Sequence, residues 1–442
     1  MHRELRRPRL TISVIAIGLL ATPGWGQKIS NIDRDRAQDM LKEISSDIRK
    51  HYYDPKLHGV NWDAQVETAK QRINSTDSMN RALSEVAAAL DSLNDSHTFF
   101  LPPSHSNHYD YGWEAQMVGE HCLVTEVRPG SDAEKKGVRQ GDELVALNGF
   151  TPSRDNLWKM EYVFRQLRPQ PVLRLSLRDP GGKQRQMDAT TTVVQNKRVK
   201  DLTGSSSDND IWDLVREGER DRKLERARFV ELDGDVGVLK FPEFFFSDSE
   251  VDNMIGKARK HKTLVLDLRG NPGGSIDTLK YLIAGFFEKE IKIGDRVGRS
   301  EQKPMVAKTH GHPFTGKLVV LVDSKSASAA ELFARVVQIE KRGIVLGDRS
   351  SGSVMEAKRY EYKSGIDTVV FYGASITDAD IIMTDGLSLE HHGVLPDELV
   401  LPGADDLASG RDPVLAHAVE SAGGKLSPEA AGKLFPYEWR PI

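Results

Sequence analysis

Lys317-Leu318-Val319-Val320-Leu321-Val322-Asp323-Ser324-Lys325-Ser326-Ala327-Ser328-Ala329-Ala330-Glu331 opens on an apolar run and gives way to small and polar residues. An apolar run of this length, bounded by a turn signal, reads as a buried strand. The next residues, Leu332-Phe333-Ala334-Arg335-Val336-Val337, carry a helical apolar pattern. Ser328 therefore sits in the first turn of a helix that springs from a buried strand. The field there favours negative charge, and free backbone N–H groups point outward. That suits a serine nucleophile, whose transition state carries an oxyanion. Ala327, Ala329 and Ala330 leave room beside it. Taken alone, the same serine reads as an ordinary helix N-cap, a far commoner role than nucleophile.

A second segment has the same strand–loop–helix form. Thr263-Leu264-Val265-Leu266-Asp267-Leu268 runs into Arg269-Gly270-Asn271-Pro272-Gly273-Gly274 and then the helical Ile276–Ile283. Three glycines and a proline between strand and helix allow close backbone approach to a ligand. No Gly-Lys-Ser/Thr follows, so the spacing is not that of a phosphate-binding P-loop. Together the two segments resemble the carboxyl-terminal processing and tricorn-core serine peptidases. The resemblance implies an α/β fold whose catalytic core is a spiral of β-β-α units, as in the crotonase and Clp-protease folds. It also implies that Ser328 is the nucleophile and that backbone N–H groups of Gly273, Gly274 and Ala329 form an oxyanion hole.

A third block, Arg128-Pro129-Gly130-Ser131-Asp132-Ala133 through Gly141-Asp142 to Asn148-Gly149, resembles a PDZ domain. A helix over 157–167 and a strand over 172–177 complete it. The resemblance implies capture of C-terminal residues of polypeptides by strand addition. The loop that would hold the terminal carboxylate is Gly112, Trp113, Glu114 and Ala115.

The rest of the chain fits around these blocks. A basic start (Met1–Arg9), an apolar stretch (Leu10–Ala21) and a small-residue end before Gln27 read as a signal peptide over 1–26. This implies a secreted or periplasmic protein, with an uncleaved anchor as the alternative. Residues 27–105 read as a helical domain, with Leu41, Ile44, Ile48 and Tyr52, then Leu83, Val86, Ala87 and Leu90, at helical spacing. Asp54-Pro55 is read as ending the first helix, and Ser75-Thr76-Asp77 as capping a later one. The PDZ-like domain spans 111–198, a linker or flap 199–224, the peptidase core 225–425 and a C-terminal tail 426–442.

Sixty-one basic against 65 acidic residues give a net charge of −4, which argues against a nucleic-acid surface. Cys122 is the single cysteine, so an intrachain disulfide and a thiolate metal cluster are excluded. His310-Gly311-His312 reads as an exposed loop rather than a metal site, and no cofactor is implied. The partners implied are polypeptide substrates, with assembly into a homo-oligomer left open.

The superfamily activates its serine in two ways. In the Ser/Lys dyad the lysine stands 25 residues after the serine; here that position is Ser353. In the tricorn-type set, a Ser-His pair closes the helical region and a glutamate follows the nucleophile. The matching residues are Ser96, His97 and Glu390, the last ahead of Gly393-Val394-Leu395-Pro396-Asp397. This set implies that His97 takes the Ser328 proton from within hydrogen-bond reach. Ser96 would orient the ring, and Glu390 would raise its pKa and place the activity limb between about pH 6 and 8. A non-catalytic binder on the same fold, for hydrophobic ligands or for docked partners, is the competing reading; the missing lysine is its main support.

Overall fold

A computed structural model of the chain describes residues 29–103, 107–195, 226–233, 235–365 and 369–440. The expected signal peptide and the 199–224 linker lie outside them. The architecture is mixed α/β, with helices and several sheets.

The central sheet has six strands, in the order Glu398–Leu399, Ile344–Gly347, Lys317–Val322, Thr263–Asp267, Val236–Lys240 and Arg228–Leu232. Its inner strands are parallel. Thr263–Asp267 is buried at every position, as is Lys317–Val322 after its first residue. Burial on both faces is why these strands read as continuous apolar runs rather than alternating ones. Thr263 pairs with Lys317 and Asp267 with Leu321, so both strands end at the same level. Their following loops therefore lie side by side at the carboxyl edge of the sheet, where open parallel sheets hold their ligands. The helices Asp248–Ala258, Ile276–Ala284 and Ala329–Ile339 pack on this sheet in one cluster, where Phe286 meets Phe333 edge-on at 5.5 Å.

A second sheet is built on the long strand Val370–Met383, which pairs with Phe99–Leu101, Ile291–Val297 and Met355–Ser364. The helices Asn31–His51, Trp62–Ser75 and Met79–Asp91 pack on it through Tyr372, Ala374 and Ile376. The first helix ends at His51, three residues ahead of Asp54. The third is capped at Ser78, not within Ser75-Thr76-Asp77, because the chain stays extended to Ser78 (φ −145°, ψ 151°).

A third sheet runs Trp113–Val118, His121–Val127, Glu143–Leu147, Val172–Arg178 and Gln184–Thr190, with a separate core cluster. The helix expected over 157–167 forms as Leu157–Glu161 and widens into a π-helical turn, Tyr162–Leu167. Cys122 is buried in this sheet, and burial pushes its thiol up to about 12, as expected of core filler. Among the described residues, no helix is long and apolar enough to cross a membrane.

Candidate active site

Ser328 is held in a conformation that ordinary residues avoid, φ 54° and ψ −116°. Ser328 stands at the N-cap of Ala329–Ile339, so the N-cap reading holds for its position, although its Oγ makes no capping hydrogen bond. Its N–H donates instead to Glu331 Oε2 at 2.9 Å and to Ser353 O at 2.9 Å. Glu331 is buried and gathers three further donors: Ser350 Oγ at 2.6 Å, Gly352 N at 2.7 Å and Ser353 N at 3.0 Å. One carboxylate thus fixes both the serine backbone and the 350–353 loop. Burial lifts this carboxyl to about 7, against the pull of those donors. Ser353, where a dyad would carry lysine, serves the turn through its backbone.

The glycine loop is tied to the same turn. Gly270 N donates to Asp323 Oδ1 at 2.8 Å, and Ala327 N to Asn271 O at 2.9 Å. Arg269 locks the loop's start through Asp267 (2.8 Å) and Asp412 (2.8 Å). Its guanidinium and Lys240 hold the buried Asp267 carboxyl well below the usual range, against the cost of burial. Gly273 packs against the nucleophile: a Cβ there would lie 2.7 Å from Ser328 Cβ. The N–H of Gly273, expected in the oxyanion hole, is already donated to Asn271 Oδ1 at 2.8 Å. That bond competes with an incoming oxygen, which weighs against the expected place of Gly273 in the oxyanion hole. Among the described residues, no hydrogen bond engages the N–H of Gly274 or of Ala329.

Ser96, His97 and Glu390 come together from opposite ends of the chain. Phe99 and Phe100 pair with Ser375 and Ala374, which carries residues 95–98 onto the second sheet. The same long strand leads into the turn with Glu390. There Ser96 Oγ meets His97 Nδ1 at 2.7 Å and donates to Glu390 Oε2 at 2.8 Å. Ser96 N donates to Glu390 Oε1 at 2.7 Å, and Val354 N to Oε2 at 2.8 Å. Val354 follows Ser353, so the loop that bonds Ser328 on one side bonds Glu390 on the other. Glu390 reaches the histidine through Ser96. Among the described residues, no hydrogen bond joins His97 to Ser328, where the expectation was a histidine within hydrogen-bond reach of the serine.

The electrostatics also differ from expectation. Burial pushes the His97 imidazole below its usual value, and Asp95 opposes this only in part. Glu390 lies beyond Ser96 and is itself raised by burial, against the influence of His391 and the Ser96 and Val354 donors. Its charge does not offset the burial of the imidazole.

Asp95 was missed in the sequence. Its Oδ1 accepts from His97 N (2.9 Å), Thr98 N (2.6 Å) and Thr377 Oγ1 (2.7 Å), fixing the loop from beneath. The signal was present, since an Asp two residues before a chemistry-bearing residue commonly folds back on following N–H groups. The expected carboxylate loop is partly committed as well. Gly112 N donates to Asp110 Oδ1 at 2.7 Å, and Glu114 pairs with Arg165 at 2.8 Å. His391 and His392 lie in a turn and bond Asn94 O and Glu390 O respectively. His310 stacks on Tyr281 at 3.7 Å, and no cluster with metal-ligand composition exists among the described residues.

Residues 235–400, which hold both loops and Glu390, match the family model for peptidase family S41, and residues 33–85 match the tricorn protease C1 domain. Over that stretch the chain is similar to the S41 serine peptidases. A carboxyl-terminal-processing protease of Picosynechococcus sp. is 23% identical over 412 residues, 89% of this chain and 90% of that protein. The chloroplastic carboxyl-terminal-processing peptidase 3 of Arabidopsis thaliana is 26% identical over 71% of this chain, which spans only 60% of that protein's length. Among solved structures, mature CPAF complexed with lactacystin aligns with TM-score 0.63 at 15% identity, covering 85% of this chain and 96% of the other. A photosystem II D1 C-terminal processing protease aligns with TM-score 0.52 at 19% identity, covering 90% and 99%. These two share the fold. Within the matched stretch the turn after Lys317–Val322 and the loop after Thr263–Asp267 face one another at the sheet's edge.

Proposed function

We propose that this chain is an exported serine endopeptidase that uses Ser328, His97, Ser96 and Glu390 in place of a Ser/Lys dyad. The observation that supports it most is the relay from Glu390 through Ser96 Oγ to His97 Nδ1. With Glu390 ionised, Ser96 donates to it and accepts Nδ1–H, which leaves Nε2 unprotonated and able to take a proton. In the reaction Nε2 removes the Ser328 proton as Oγ attacks the scissile carbonyl. The oxyanion is received by the N–H groups of Gly274 and Ala329. The imidazolium then protonates the leaving amine, and water repeats the sequence on the acyl-enzyme. The serine–histidine contact closes when substrate is bound, as such contacts commonly tighten in the Michaelis complex.

The reading extends to the domains. Residues 111–198 act as a PDZ-like module that receives polypeptide C-termini, and the 225–425 core as a β-β-α spiral. The basic–apolar–small start supports export. Substrates are unfolded or C-terminally exposed polypeptides. The test is casein cleavage by wild type, Ser328→Ala and His97→Ala: loss of several orders of magnitude in both variants supports the assignment. A Ser328→Ala protein that cleaves at the wild-type rate removes Ser328 from the chemistry, and a wild type that cleaves nothing returns the chain to the binding-protein reading.

A further inference from the structure

Next to the catalytic set, and sharing Ser96 with it, lies a cavity of about 320 Å³ whose lining includes Phe99, Trp158, Glu161, Tyr162 and Arg165. It falls between two bodies. Ser96 and Phe99 come from the catalytic loop; the others stand on one face of the helical segment that runs from Leu157 to Leu167. The volume is at the lower end of ligand-sized pockets and suits a single large side chain. Its walls are set before anything binds. Phe99 and Tyr162 meet edge-on with centroids 6.5 Å apart, and Tyr162 Oη donates to Phe100 O at 2.5 Å. Lys159 pairs with Asp91 at 2.7 Å and ties this helix to the helical region. The Arg165 charge is met by Glu114 at 2.8 Å, so the cavity presents aromatic faces rather than a free cation. Trp158 remains 38% exposed, with Lys159 Nζ over its ring at 5.5 Å.

The neighbouring strand gives the cavity a direction. Trp113–Val118 pairs with His121–Val127, and among the described residues no strand pairs with its other edge. Side chains hold that edge at both ends: Arg165 donates to Trp113 O at 3.2 Å, and Ser324 Oγ donates to Met117 O. Ser324 lies in the turn that leads to Ser328. A peptide added to this edge would thus run between the helix that lines the cavity and the turn that carries the nucleophile.

We propose that this composite cavity is a substrate subsite for a large aromatic side chain of the polypeptide, with Phe99, Trp158 and Tyr162 setting the preference. It deepens the peptidase reading and rests on it. Neither half forms the pocket alone, so this residue is selected only where the module and the catalytic loop meet.

The test uses internally quenched decapeptides in which Phe replaces Ala at one position at a time. In the wild type, one position gives at least a tenfold gain in kcat/KM for Phe over Ala, carried by KM, the range one filled apolar pocket supplies. Trp158→Ala reduces that gain to twofold or less, and Trp158→Phe retains most of it. Labelling of Ser328 by a small fluorophosphonate is followed in each protein. A labelled wild type with no Phe preference, or a labelled Trp158→Ala protein with the full preference, overturns the subsite alone. A wild type that neither labels nor cleaves overturns the peptidase reading and the subsite with it.

Discussion

Replacing Ser96 by alanine removes the one group through which Glu390 acts on the histidine. In the native protein the Ser96 hydroxyl bridges 2.8 Å to Glu390 Oε2 and 2.7 Å to His97 Nδ1. A hydrogen bond to a charged partner contributes about 1.5–3 kcal/mol. If that is lost mainly from the transition state, where the imidazole becomes cationic, kcat falls roughly 10- to 150-fold at 1.36 kcal/mol per decade. Folding should suffer less. Glu390 keeps the Ser96 and Val354 N–H donors at 2.7 and 2.8 Å, so stability falls by about 1 kcal/mol. The assay is kcat and KM on a quenched peptide from pH 5 to 9, with thermal unfolding of the same preparations. Loss in kcat with KM held is the expected pattern. A Ser96→Ala enzyme within twofold of wild type in kcat, or one impaired only in KM, would refute the relay.

Other expectations follow from the same geometry. Catalysis needs neutral His97, and burial holds its pKa below about 6.5, so kcat/KM rises with pH along a limb centred under 6.5 and is lost as pH falls through it. Asp95→Asn removes the group that opposes this shift and should move the limb lower still; a limb centred near 7.5 contradicts the burial argument. Gly274→Ala places a Cβ 2.7 Å from Phe244 O at φ 144°, and should lower both kcat, by more than tenfold, and the free energy of unfolding, by about 1–3 kcal/mol. Arg154 grips both Asp348 oxygens at 2.7 Å from a buried position, joining the third sheet to the core. Arg154→Met should cost about 3–5 kcal/mol by stranding that carboxylate. Adding Asp348→Asn should restore part of the loss in denaturant unfolding.

The strands that carry the site were legible because burial on both faces writes them as unbroken apolar runs, Thr263–Leu268 and Lys317–Val322. The glycine loop was legible for the same local reason, since Gly273 and Gly274 both take positive φ (93° and 144°). Spacing did not disclose which backbone donors are spent. Gly273 and Gly274 are equivalent in sequence, and only the Asn271 side chain, turned back on its own loop, separates them. The same limit hid Glu331, whose place in the motif says nothing of the four donors it gathers. The histidine pKa was misjudged because the Glu390 charge was expected to decide it, whereas the extent of the ring's burial is not written in the sequence and outweighs a charge that acts through Ser96. The widening of the helix at Tyr162 was also unreadable, because it coincides with a bond from Tyr162 Oη to Phe100 O, which lies far away in the chain.

The central claim is that Ser328 is a nucleophile activated by His97. Fluorophosphonate labelling with peptide mapping, run on wild type, His97→Ala and Lys325→Ala, tests it most directly. The account predicts label on Ser328 in the wild type and in Lys325→Ala, with labelling slowed by orders of magnitude in His97→Ala. Label on another serine, or undiminished labelling of Ser328 without His97 together with its loss in Lys325→Ala, would contradict it.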